Sequence, residues 1–441
     1  MSEGLLGPDR EETARAGDRL QVWRARQGGR RWLAWWLLVG PGVLVMLGEN
    51  DAPSMLSYAA SGATYGIGFF LPFVLLTFAM AYVAQEMTVR LGAVTKSGHA
   101  ELIYRRFGRF WGRFAMADLL FTNFLTLITE FVGIVAGAGY FGVPAPAAVA
   151  LGWAVVGVAL FTRRYARWER ITMALAACNF LFVPVALLTR PRWGQVAHAL
   201  LFWSPLPRPW NGQTIILLMA DIGATVTPWM LFFQQGAVTD KGLAVTDVRE
   251  GRGDTALGAL LAALAAMATI VATAPLAARG MNAGQFGAAQ FAQALVPVIG
   301  RTGGALFALG VMEAGLVAAA TISTSSAYAF GEVTGRAHSL NRPWAQARGF
   351  YLVLWGVAVL AGLLVLLPGF PLERVVLMVN VLAVLTMPPA IGFLLLLVND
   401  AELMGQWKNG LWANVLGIGV GAFISLAGVV YAGSVVWSLL R

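Results

Sequence analysis

Gly48–Ser54, reading GENDAPS, sits in the middle of an apolar stretch that runs from about Trp32 to Gly68. It sets two carboxylates (Glu49, Asp51), an amide (Asn50), a hydroxyl (Ser54) and Pro53 at the depth of a bilayer. A charged side chain there costs roughly 2.5–3.5 kcal/mol on insertion scales, so an intramembrane acid points first to function. Pro53 cannot donate an i to i−4 hydrogen bond, and Asn50 and Asp51 before it are poor helix formers. The stretch reads as a helix broken at its midpoint, with backbone groups freed to hold a ligand. The plainer alternative is a kinked helix whose polar groups pair internally.

The remaining sequence supports a membrane setting. Of 441 residues, 58% are hydrophobic and only 12% charged, and the mean hydropathy is +0.69. Soluble domains carry about 25% charged residues. The composition therefore specifies an all-α polytopic membrane protein. A net charge of +9 would suggest nucleic acid in a soluble chain; here arginine-rich loops account for it and no nucleic-acid partner is implied. The single cysteine, Cys178, lies in an apolar run and excludes an internal disulfide. Residues 1–31 are polar and arginine-rich and read as a disordered cytoplasmic tail, with residues 32–441 as the transmembrane domain. The first apolar run is too long for the core of a cleavable signal peptide.

Apolar run lengths give eleven candidate spans: 33–64, 66–90, 112–141, 145–162, 169–189, 213–239, 255–277, 302–333, 349–367, 374–398 and 411–438. Most of the 31 lysines and arginines then fall in the tail and in alternate connections. The exceptions are Arg190, Arg192, Arg208, Arg279, Arg301, Arg374 and Arg441. That asymmetry places the N-terminus in the cytoplasm and the C-terminus outside. The sixth span echoes the first, because GATVTPW (Gly223–Trp229) also puts polar residues and a proline in mid-helix. Breaks at matching places in two five-span halves point to a transporter built from inverted repeats, helices 1–5 and 6–10, with helix 11 added.

The donor chemistry at the two breaks is oxygen throughout. Asp51 offers a hard anionic ligand and Ser54, three residues on, a hydroxyl. Pro228 removes the N–H that would bond the Ala224 carbonyl, which leaves that oxygen for an ion, and Thr227 adds a hydroxyl. With the Gly48 carbonyl these form the candidate ligand set. Such a set suits Mg2+ with retained waters better than a soft transition metal. Glu49, Asn50, Glu130, Asp221, Trp229, Glu313 and Asn380 are candidates to line the pathway or support the ligands. His99, His198 and His338 have no metal-ligand spacing, and there is no phosphate-cradling glycine loop and no nucleophile with a base at membrane depth. The chain reads as neither an enzyme nor the holder of a cofactor; a divalent cation is its substrate.

Six ordered segments carry a family resemblance. QEMTVRLGAVTKSGHAELI, ITEFVGIVAGAGYFGVP, YARWERI, GATVTPWMLFFQQ, LFALGVMEAGL and NDAELMG resemble segments of the natural-resistance-associated macrophage proteins (NRAMP). The similarity spans about Gly40 to Gly419 and implies a LeuT-type fold and divalent-metal transport. The departures are informative. The family's DPGN motif reads Asp51, Ala52, Pro53, Ser54 here, so aspartate is kept and asparagine has become serine. Thr227 stands in place of the family's soft methionine, Trp229 in place of a proton-linked histidine, and Leu127 in place of an acid three before Glu130. The pattern is most similar to the NRAMP-related magnesium transporters. It implies import of Mg2+, with Mn2+ as a second ion, by alternating access without proton coupling. The alternatives are a proton-coupled Mn2+/Fe2+ importer and a carrier of an organic solute, whose carboxylate Asp51 and Glu49 would repel. The sequence leaves the oligomeric state open, with a monomer sufficient for this reading.

Overall fold

Pro41 begins one short helix and Pro53 sits in the first turn of the next; a proline is tolerated only there, so the chain must break between them. The computed structural model describes residues 10–205, 212–280, 283, 286–369 and 372–439. Helix α1 is Arg10–Gln27, α2 is Arg31–Leu38, α3 is Pro41–Glu49 and α4 is Ala52–Tyr65. The unwound pair between α3 and α4 is Asn50 and Asp51, and Asp51 caps α4 by accepting from the Ser54 amide. The first half continues with α5 (Phe70–Thr95), α6 (His99–Phe107), α7 (Arg109–Gly139), α8 (Ala145–Thr162), α9 (Tyr165–Ala176), α10 (Phe182–Leu188) and α11 (Trp193–Leu201).

The second half repeats the device. Helix α12 (Gly212–Gly223) stops and α13 (Pro228–Lys241) starts with Pro228 as its first residue. Then follow α14 (Val248–Ala277), α15 (Ala288–Thr334), α16 (Arg348–Val365), α17 (Leu372–Asn399), α18 (Ala401–Met404) and α19 (Leu411–Leu439). Helix α15 turns at Gly300, whose φ of 75° favours glycine. Among the described residues there is no strand. Ten helices are long and apolar enough to cross a membrane, and the pair α2 and α3, bent by 48°, makes up an eleventh. Ten of the expected spans have such a helix among the described residues; the first, 33–64, is divided among α2, α3 and α4, the eighth begins earlier, at Ala288, and Arg208 and Arg441 lie outside the described residues.

The unwound centre is held by rigid ends. The Asp254 carboxylate of α14 accepts from the amides of Gly40 (3.0 Å), Gly42 (2.7 Å) and Val43 (3.2 Å), the otherwise unpaired donors at the start of α3. Beside it Lys241 bridges the Val39 carbonyl and Glu169, each at 2.8 Å. At the same end Asp240 gathers Tyr328 (2.8 Å), the Leu340 amide (2.8 Å), Ser339 and Asn341, which anchors the connection after α15 to α13. Close approach fixes the second break: a Cβ on Gly223 would overlap the Asn380 carbonyl of α17.

One expectation needs correcting. Residues 10–27, read as part of a disordered tail, form α1 and dock on the arginine-rich end of the bundle; residues 1–9 lie outside the described residues. The reason is charge pairing with an apolar seam. Arg26 reaches Asp247 at 2.9 Å and Glu250 at 2.8 Å, Arg19 contacts Asp247, and Asp18 meets Arg164 at 2.9 Å. Val22 and Ala25 pack on Ala34 and Leu38. Half-exposed ion pairs contribute about 0.2–1 kcal/mol each. The double variant Arg19→Ala/Arg26→Ala should therefore loosen α1 with little change in the melting of the bundle. Limited trypsin digestion reads this out as faster cleavage at the remaining α1 arginines; an unchanged rate would mean that the apolar seam alone holds α1.

Candidate metal centre

The two breaks face one another, and each brings oxygen atoms to the gap. Helix α3 ends at Glu49 and α12 at Gly223, so the partial negative charge and unpaired carbonyls of two helix C-termini converge. That arrangement attracts a cation. Glu49 and Asp51 are each 1% exposed and Glu130 is 0% exposed. All three carboxylates are therefore buried in this conformation.

Each carboxylate is held at one oxygen. The Thr227 hydroxyl donates to Glu49 Oε1 at 2.6 Å, the Ser54 amide to Asp51 Oδ1 at 2.8 Å, and the Ala52 amide to Glu130 Oε2 at 3.0 Å. Asn50 turns the other way and donates to the Ala262 carbonyl of α14 at 2.9 Å. What these bonds leave over defines the centre. Glu49 Oε2, Asn50 Oδ1, Ser54 Oγ and Glu130 Oε1 are buried without a partner, as are Trp229 Nε1 and Asn380 Nδ2. Buried polar atoms are nearly always paired. A concentration of orphaned oxygens at one break is what an ion with its waters would satisfy.

The structure brings together Asp51, Ser54, Glu49, Asn50, Glu130 and Thr227 at the breaks. Gly48 lies against Trp229, whose Cη2 would sit 3.2 Å from an added Cβ. Two details differ from the simple picture of free ligands. The Thr227 hydroxyl is committed to Glu49, and the Ala224 carbonyl accepts the Tyr58 hydroxyl at 3.1 Å. Asp221 stands apart, further along α12, where Ser57 (2.5 Å) and Ser61 (2.7 Å) of α4 donate to it. Glu313 is also elsewhere, beside Asn179. Among the described residues no three His, Cys, Asp or Glu side chains form a metal-holding group. An ion held here would need amide, hydroxyl or carbonyl oxygens beside the acids.

Sequence reasoning missed Tyr58 and Asp254. The spacing Ser54, Ser57, Tyr58, Ser61 and Tyr65 marks one polar stripe of α4, and that stripe was the available signal for Tyr58. For Asp254 there was an intramembrane acid near the start of the seventh span. His99 is no ligand: its Nδ1 lies 3.0 Å from Gln235 Oε1, and burial pushes the imidazole down to about 4, against a smaller upward pull from Gln235. It is neutral at physiological pH.

A family model described as natural resistance-associated macrophage protein-like (Nramp) matches residues 42–432. The chain belongs to the Nramp family. Divalent metal cation transporters MntH from Klebsiella pneumoniae and Deinococcus radiodurans are similar to this Nramp chain. The first is 26% identical over 414 residues, covering 90% of this chain and 94% of the relative. The second is 26% identical over 451 residues, covering 98% and 96%. Among solved structures, the Eremococcus coleocola manganese transporter superposes with a TM-score of 0.71 at 20% identity, covering 91% of this chain and 87% of that one. MhsT in complex with L-phenylalanine superposes with a TM-score of 0.58 at 16% identity, covering 89% and 98%. The fold is thus the LeuT type. These Nramp relatives are described by manganese or divalent metal, and the magnesium subtype expected from Ser54 and Thr227 finds no support among them.

Glu130 gives a direct check on how the centre is assembled. Glu130→Ala orphans the Ala52 amide and should cost about 1–3 kcal/mol, whereas Glu130→Gln keeps an acceptor for it. Thermal unfolding of the purified variants should show a lowered midpoint for the alanine variant alone. Equal midpoints would mean that the Ala52 amide finds another acceptor.

Proposed function

We propose that this Nramp chain imports a divalent metal cation, Mn2+ before Fe2+, by alternating access with movement of protons. The observation that carries the reading is the cluster of buried, unpartnered oxygens of Glu49, Asn50, Ser54 and Glu130 around Asp51. Carboxylate, carbonyl and water oxygens suit Mn2+ as well as Mg2+, and the relatives described above are manganese or divalent metal transporters. This replaces the preference for Mg2+ drawn from donor hardness and from the resemblance to magnesium transporters. A buried centre between two broken helices supports a carrier that rearranges over a continuous pore.

The site assignments follow the geometry. Asp51 is the principal charged ligand, with Ser54, the carbonyls of Gly48 and Ala224, and the Glu49 carboxylate held by Thr227 completing the shell, some through water. Glu130, next to Asp51, accepts a proton when no metal is bound, because three adjacent buried carboxyls cannot all stay ionised without a cation. The arginine-rich end that α1 covers faces the cytoplasm. Uptake is then driven inward by the membrane potential, worth about 4.6 kcal/mol per divalent charge per 100 mV.

A second reading keeps Mg2+ without protons, and Thr227 and Trp229 favour it, since neither supplies sulfur nor an imidazole. Liposomes containing the purified protein and a pH dye separate the two. Mn2+ uptake with acidification of the lumen, abolished by Asp51→Ala, is the expected result. Mg2+ flux without a pH change would move the assignment to the second reading, and full flux in Asp51→Ala would remove the centre from the pathway. Thr227→Met adds a soft ligand and should shift competition toward Cd2+ by about tenfold or more. Unchanged selectivity would show that residue 227 does not face the ion.

A further inference from the structure

Glu313 is a buried acid that the centre at the breaks does not use. It lies midway along α15, 2% exposed, and its Oε2 takes one long hydrogen bond, 3.4 Å, from Asn179 Nδ2. Its Oε1 has no partner, and neither has Asn179 Oδ1 on a side chain that is 0% exposed. Asn179 sits in Ala177–Leu181, where the fifth span tightens from an α-helix to a 3-10 turn between α9 and α10. A stretch of 3-10 helix inside a span marks local strain or a functional device. Here it presents an amide to the eighth span.

A carboxylate at this depth with one weak donor is costly, and an amide oxygen left dry beside it adds to the cost. Turning the Asn179 amide over brings a second oxygen against the carboxylate and increases the need for positive charge. The two groups supply hard oxygen donors and lack a cation. Charge balance selects its valence. One carboxylate and one monovalent ion sum to zero, whereas a divalent ion would leave a net positive charge in the hydrocarbon layer. The centre at the breaks, where Glu49, Asp51 and Glu130 adjoin, carries the higher charge that a divalent ion calls for. We propose that Glu313 and Asn179 form a separate site for a monovalent alkali cation, between the fifth and eighth spans.

The test needs no divalent ion, so it succeeds or fails independently of the metal that the transporter carries. The full chain in detergent is unfolded by heat in NaCl, KCl or choline chloride at equal ionic strength, with chelator present, at neutral and at acidic pH. Sodium or potassium should raise the midpoint by about 2–4 °C over choline in a saturable way. The ion with the larger effect is the occupant. Glu313→Gln should abolish the shift and Asn179→Ala reduce it. The glutamine variant removes a buried charge and keeps the shape, so folding is expected to survive. Should it not, binding of radioactive sodium or rubidium to the unmodified protein, competed by cold alkali ions but not by choline, decides the matter. Alkali salts acting no better than choline, a shift retained in Glu313→Gln, or stabilisation by acid alone in choline would each overturn the proposal; the last would make the occupant a proton.

Discussion

Two carboxylates, Glu49 and Asp51, with Asn50 between them, lie buried at the same gap. Removing an ion from water costs several kcal/mol even after the protein relaxes, by a rough general figure. The architecture around the gap is organised by that cost. Helix breaks supply free amides and carbonyls, Thr227 and the Ser54 amide each steady one oxygen, and Glu130 is tied to the backbone beside Asp51. These bonds leave one oxygen of Glu49 and one of Glu130 without a partner. Buried oxygens without partners are costly, and a cation or a proton would offset that cost.

The same physics, with the opposite outcome, locks the ends of the broken helices. Asp254 is as buried as Asp51, yet its carboxylate is spent on three amides of α3. Asp240 of α13 is likewise surrounded by donors from α15 and the following connection. A saturated acid acts as a clamp and an unsaturated acid as a binding group. Pairing therefore separates the rigid parts of the bundle from the part that can respond to an ion. On the far side of the centre Asp221 is also saturated, by Ser57 and Ser61, which ties α4 to α12 so that the two half-helices behave as one unit.

Much of this was legible from residue order. Apolar run length gave the spans because a bilayer of fixed thickness demands helices of fixed length. Pro53 and Pro228 located both breaks because proline closes off the preceding turn. The acids and hydroxyls between them followed from position alone. The choice of metal was less legible: an oxygen donor set is shared by Mg2+ and Mn2+, and only similarity to described transporters favoured manganese. Helix α1 escaped because its stability comes from Asp247 and Glu250, more than two hundred residues away, and its own composition resembles a solvated tail.

The sequence by itself determined the membrane setting, most of the spans, the two interruptions and the acidic oxygen chemistry placed there. These are local properties, since they depend on hydropathy, proline and residue type within one helix length. The tertiary structure alone decided which polar groups are satisfied. Thr227 could not be seen to serve Glu49, Tyr58 to occupy the Ala224 carbonyl, or Glu313 to stand half-paired with Asn179, because each contact joins helices remote in sequence. Burial removes water as a universal partner, and what remains unpaired is then set by packing.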